Sequence, residues 1–168
     1  MNAEALKNLQ APIKDKYRED PDTAVITLKA QGRLGDGVTC SVETGQALVE
    51  AGLHPATGGS GVHACSGDML LEALVACAGV TMSAVATALE LKLSDAKVKA
   101  EGDLDFKGTL GVDREAPVGF KAIRLSFDIE GDLGEDEIAT LMKLTERYCV
   151  VYQTLASNPS IQVTHSVV

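Results

Sequence analysis

Cys65-Ser66-Gly67-Asp68-Met69-Leu70-Leu71-Glu72-Ala73-Leu74-Val75-Ala76-Cys77 leads into a segment that stays uncharged from Ala73 to Leu89, seventeen residues between Glu72 and Glu90. The run falls short of the roughly 20 residues of a membrane span, and acids rather than Lys or Arg flank it. It therefore reads as a helix buried on all sides in a water-soluble fold. Ala, Gly, Ser and Thr dominate it, which predicts close packing against another helix. Ser66 is the expected cap, Asp68 complements the helix dipole in the first turn, and the helix is expected to reach about Leu91.

Around this helix the pattern is mixed. Residues 4–18 alternate apolar and charged residues at helical spacing and stop near Asp20-Pro21, an N-terminal helical arm over 1–21 of a single domain covering 1–168. Ala24 to Ala30 and Val38 to Glu43 read as two antiparallel strands around a turn cluster, Gly32-Arg33-Leu34-Gly35-Asp36-Gly37. Thr44 to Val62, with Gly58-Gly59-Ser60-Gly61, reads as a long functional loop. Lys97 to Leu110 and Phe120 to Glu130 are extended, the second alternating strictly between apolar and polar residues. Glu135-Asp136-Glu137 starts a helix carried by Ile138, Leu141, Met142 and Leu144 to Cys149, and a further helical stretch runs from Val150 to Ala156. Ile161, Val163 and His165 predict a last strand. The fold class is α+β.

The 168 residues carry 24 Asp and Glu against 15 Lys and Arg, a net charge of −9. An acidic surface without basic clusters has no means of binding a phosphate backbone, which excludes nucleic acid as a partner. The start Met1-Asn2-Ala3-Glu4-Ala5-Leu6-Lys7 lacks a basic segment followed by an apolar run, so the expected compartment is the cytosol. There the four cysteines, at 40, 65, 77 and 149, are thiols or redox centres rather than a disulfide framework.

On a wheel of about 100° per residue Cys77 shares a stripe with Leu70, Leu74, Thr81, Ala84 and Ala88, and its own helix offers nothing to ionise it. Cys149 lies about three turns after Ile138, on the core-facing stripe of the later helix. The spacing leaves two readings open. Both cysteines are small core hydrophobes, or they are two thiols brought together where two core helices meet.

The segment from Cys65 to Cys77 resembles the first-cysteine helix of the OsmC/Ohr family, the osmotically inducible and organic hydroperoxide resistance proteins. Ile123 through the Gly131-Asp132-Leu133 break to Leu144-Thr145-Glu146-Arg147-Tyr148-Cys149 is similar to the strand and second-cysteine helix of that family. Val150 stands where many members have proline, and Asp68 near where many have glutamate. The resemblance implies two cysteine helices enclosed by antiparallel β-sheets in an intertwined homodimer. It also implies thiol-dependent reduction of organic hydroperoxides, without cofactor or metal, and regeneration by an external dithiol. Carried over, Cys77 is the peroxidatic thiolate, Cys149 the resolving thiol, Arg33 the cation that stabilises the thiolate, and Asp68 the acid that orients it. Arg18 is the second choice for the cation. Asp68 precedes Cys77 by nine residues, about 180° on the wheel, so a bent helix start or a bridging Arg33 is needed to join them.

Other chemistries fit less well. Cys65 precedes a helix start, where N–H groups lower a thiol pKa, and is a rival for either redox role. Cys40, on a strand, is a core residue. His54, His63 and Cys65 match no compact zinc spacing. No GxSxG elbow marks a hydrolase, and the Gly-rich loop lacks the Lys of a phosphate-binding loop. The alternative function is a non-catalytic dimeric module that binds a small apolar ligand and uses the cysteines as packing.

Overall fold

The uncharged run folds as one helix, α2 (Ser66–Ala88). It is seen in a computed structural model that describes residues 2–19, 31–34, 39–43 and 48–167. Preceding it are α1 (Ala3–Glu19), β1 (Gln31–Leu34), β2 (Thr39–Glu43), β3 (Leu48–Gly52) and β4 (Ala64–Cys65). After it come β5 (Leu93–Leu104), α3 (Phe106–Thr109), β6 (Phe120–Gly131), α4 (Glu135–Tyr148) and α5 (Val150–Ser157). Strands β1 to β4 form one sheet in chain order, antiparallel except for the β3–β4 pair, and β5 and β6 form an antiparallel ribbon. The expected α+β class is observed.

The core lies along one face of α2. Leu74, Ala78, Met82 and Val85 recur at helical spacing and are buried. Met82, Val85 and Ala86 close on Leu141 of α4, with Leu93 and Ile129 of the ribbon packed against them. Leu74 and Ala78 close on Cys149, with Val98, Ala100, Ile123 and Leu125 behind. Phe127 joins both groups and stands opposite Val98 in the ribbon register. The strict alternation expected over β6 holds, and the outer face carries ion pairs such as Lys99–Glu101 and Arg124–Asp103.

Several expectations are corrected. Helix α2 is buried on one side only: Val80 is 72% exposed and Leu70 is exposed too, because α4, α5 and β5 cover a single face. It ends at Ala88, not Leu91. Glu90 turns left-handed at φ 57°, with its N–H on Thr87 O and the Leu91 N–H on Ala86 O, a Schellman closure built on a residue other than glycine. The cap residue is Cys65 rather than Ser66, and it makes no side-chain cap bond. The expected loop 44–62 contains β3, since Leu48–Gly52 pairs with Thr39–Glu43. Half of the expected turn cluster belongs to β1, with Arg33 opposite Ser41. The strand expected at Lys97–Leu110 starts at Leu93 and stops at Leu104, where the Asp105 side chain accepts the Lys107 N–H at 3.1 Å and caps α3. No strand forms at Ile161–His165. Ile161 and Val163 are 84% and 89% exposed, and no described strand lies alongside to take up their backbone groups. The strand expected at Ala24–Ala30 lies outside the described residues.

A left-handed residue with a Cβ costs about 1–2 kcal/mol. Glu90→Gly is therefore expected to raise stability by about 1 kcal/mol in urea denaturation, without changing the slope.

Candidate active site

Helix α4 starts at Gly134, whose N–H donates to Glu137 Oε2 at 2.8 Å, with Glu135, Asp136 and Glu137 favourably placed in its first turn. Its inward stripe runs through Leu141 and Thr145 to Cys149, all buried. Ile138, expected on that stripe, sits at its exposed edge. The Cys149 N–H closes the last turn on Thr145 O at 2.9 Å. At ψ 107° the backbone then leaves helical geometry, and α5 begins at the next residue. Cys149 thus ends one helix and caps another, its Sγ accepting the Tyr152 N–H at 3.5 Å. Gln153 Nε2 donates to Glu146 O at 2.9 Å and ties α5 to the end of α4.

Cys77, half-buried on α2, meets this junction. Burial pushes its pKa up, but donors from several directions outweigh that. The Val151 N–H, the Cys149 thiol, the Val150 N–H and the Thr81 hydroxyl are the donors around its sulfur, and together they hold its pKa below the ordinary value of 9.0. Cys149 moves the opposite way. Burial raises it, the Tyr152 N–H opposes, and its role as donor to a charged Cys77 raises it further. Of the two sulfurs, Cys77 is therefore the more acidic and Cys149 the one that gives up its proton less readily. The folded state gains from charged Cys77 above the ordinary thiol pKa and loses that gain as pH falls through the depressed one.

The other sequence candidates fall elsewhere. Asp68 is exposed in the first turn of α2, about 13 Å along the axis from Cys77 at 1.5 Å per residue, and Glu72 is exposed as well. The helix start does not bring Asp68 to the sulfur. For Arg33 and Arg18 the backbone is placed in β1 and α1, while their side chains lie outside the described part. Cys65 is half-buried at the N-cap of α2, twelve residues before Cys77. Cys40 pairs with Ala51 in the sheet. His54 stacks on Phe106 and accepts the Ala56 N–H, while His63 lies 3.8 Å from Glu50.

Sequence reasoning missed Thr81 and the two amides. Thr81 was visible on the Cys77 stripe, one turn on, so the expectation that α2 offers nothing to its own cysteine is corrected. The N–H groups of Val150 and Val151 carry no side-chain signature. Beside the cluster, between β6, α4 and α5, a cavity of about 470 Å³ is lined by Leu74, Phe120, Leu125, Met142, Tyr152 and Leu155 among others.

The family model described as OsmC-like protein matches residues 58–164. This chain belongs to the OsmC-like family. No curated relative matches the sequence. Among solved structures, an OsmC-like protein from Mycoplasma pneumoniae is similar with a TM-score of 0.66 at 18% identity, covering 79% of this chain and 89% of that one. An organic hydroperoxide resistance protein from Elizabethkingia anophelis gives 0.64 at 17%, covering 80% and 91%. One from Legionella pneumophila, titled OsmC and predicted redox protein, gives 0.62 at 19%, covering 80% and 92%. At these identities the likeness is one of fold. In the OsmC-like chain described here, α2 is long and apolar enough to cross a membrane, yet it packs against α4, α5 and β5 as a core helix.

The Cys149 backbone, at φ −72° and ψ 107°, already suits a residue before proline, and Val150 is the first residue of α5, where proline is favoured. Val150→Pro is expected to leave α5 intact by circular dichroism while deleting one donor to Cys77. Iodoacetamide alkylation of Cys77 then shifts to higher pH. An unchanged profile would remove the Val150 N–H from the site.

Proposed function

We propose that this chain is a thiol-dependent peroxidase that reduces organic hydroperoxides through Cys77 and Cys149. The observation that carries the reading is the meeting of the two sulfurs, with Cys77 of α2 packed on the cluster that holds Cys149 and made the more acidic of the two by the donors at the start of α5. A peroxidatic sulfur must be a thiolate, and its partner must be in reach. The Cys77 thiolate attacks the outer oxygen of the hydroperoxide. The O–O bond breaks, and the alkoxide leaves and takes a proton to become the alcohol. Cys77 is then a sulfenic acid. Cys149 loses its proton and attacks the Cys77 sulfur. The S–O bond breaks, and the hydroxide departs as water with that proton. An external dithiol returns the disulfide to two thiols by exchange.

The neighbouring cavity, lined mostly by apolar side chains with Lys121 and Glu146 also on its wall, supports an alkyl substrate with a polar end, in keeping with a surface of charge −9 that disfavours anions. Arg33 remains the candidate cation for the site, and Asp68 is the acid at the start of α2. The exposed apolar face of α2 and the exposed Ile161 and Val163 support a homodimer in which a second copy covers them. A reducing cytoplasm suits free thiols at 65, 77 and 149.

The test is a peptide mass map of the reduced protein after one equivalent of an alkyl hydroperoxide. A Cys77–Cys149 disulfide is expected, with no turnover in Cys77→Ser and a dimedone-trappable sulfenic acid in Cys149→Ser. A bond to Cys65 would keep the reaction and reassign the roles. Untouched thiols would contradict the reading and favour the cavity as the binding site of a non-catalytic module.

A further inference from the structure

Among the described residues, a buried side-chain oxygen without a hydrogen-bond partner lies one helical turn from the resolving sulfur. Thr145 is 1% exposed and its Oγ1 is unpaired. The chain itself seals it, so neither bulk water nor a second copy reaches it. A helical threonine commonly donates its hydroxyl to the carbonyl one turn earlier, as Thr87 does to Ser83 O at 2.8 Å. Thr145 does not. Leaving a buried hydroxyl unsatisfied costs about 1–3 kcal/mol, a loss that valine of similar shape avoids. Such a group calls for a chemical reason.

The backbone places that hydroxyl beside Cys149. The bond from the Cys149 N–H to Thr145 O keeps helical spacing between the two. Residues four apart stand on one face with Cβ atoms about 5–6 Å apart, and in the resting protein the Cys149 sulfur accepts the Tyr152 N–H. Both are 1% exposed. Among the hydrophobic residues packed on the group of Leu74, Ala78 and Cys149, Cys77 of α2 and Tyr152 of α5 are titratable, and those from β5 and β6 are apolar. On α4, Glu146 and Arg147 are exposed.

We propose that the Thr145 hydroxyl is the hydrogen-bond donor that Cys149 draws on when its sulfur becomes the nucleophile. The inference rests on the peroxidase reading above. In the resting protein Cys149 keeps its proton and donates to Cys77, so Thr145 faces no anion. Once Cys77 is a sulfenic acid, Cys149 gives its proton to the departing hydroxide, and negative charge gathers on a buried sulfur. A rotation about the Thr145 Cα–Cβ bond turns the hydroxyl to that sulfur. Thr145 gives a hydrogen bond and keeps its proton throughout.

The experiment is a pH titration by NMR of full-length protein carrying ¹³Cβ-cysteine and Cys77→Ser, so that Cys149 titrates without its partner. Thr145→Val is expected to raise the Cys149 midpoint by about one pH unit, a tenfold loss of thiolate and the scale of one hydrogen bond to a charged group. Its melting temperature should equal or exceed that of the parent. Thr145→Ser is expected to restore the midpoint. With Cys77 present, disulfide formation after hydroperoxide should slow by a similar factor in Thr145→Val alone. An unchanged midpoint in Thr145→Val, or a raised one that serine fails to restore, overturns the proposal whether or not peroxide oxidises the protein. A wild-type protein that forms no disulfide counts against the peroxidase reading instead.

Discussion

At Cys149 the backbone leaves helical geometry for a single residue and re-enters it at Val150. Had α4 continued, the N–H groups of Val150 and Val151 would be spent on the carbonyls of Glu146 and Arg147, four residues back. The break releases them, and the packing of α5 on α2 turns them toward Cys77. It leaves the Glu146 carbonyl open, which Gln153 Nε2 fills. One irregular residue thus creates the anion-stabilising end of a short helix and supplies the second sulfur at the same point.

The opposite displacement of the two thiols follows from this geometry rather than from burial, which pushes both upward. Cys77 receives from two amides, a thiol and a hydroxyl, and Cys149 spends its proton on Cys77. A pair with unequal acidity has direction: one sulfur is ready to attack, and the other waits until the first has been oxidised. None of the donors named on Cys77 carries a formal charge. These oriented dipoles act in a partly buried site, where they are stronger than in water; the Arg33 side chain lies outside the described residues.

The helices and the ribbon were legible because their signals are local. An uncharged run with an early acid gives α2, and strict alternation gives β6. The stripe through Leu141 and Cys149 likewise points inward as expected. What escaped depends on partners distant in sequence. β3 is short and becomes a strand by pairing with β2. The alternation at Ile161–Val163 builds no ladder without a neighbour. α2 looked buried all round because composition records how apolar a helix is, and not which side the rest of the chain covers. At the candidate site, the two cysteines stand out in the sequence and most of their environment does not, since backbone amides leave no mark in a sequence and Asp68 lies nine residues back along the same helix. Thr81 was open to view four residues after Cys77, where a hydroxyl reaches back one turn.

The central claim is that this junction makes Cys77 a thiolate at a pH where an ordinary thiol is protonated. The ¹³Cβ resonance of Cys77, assigned by its loss in Cys77→Ser and titrated in the reduced wild-type protein, follows that group directly. The expected result is a midpoint below the ordinary value of 9.0. A midpoint at or above that value would mean that burial outweighs the donors of α5, and would contradict the account.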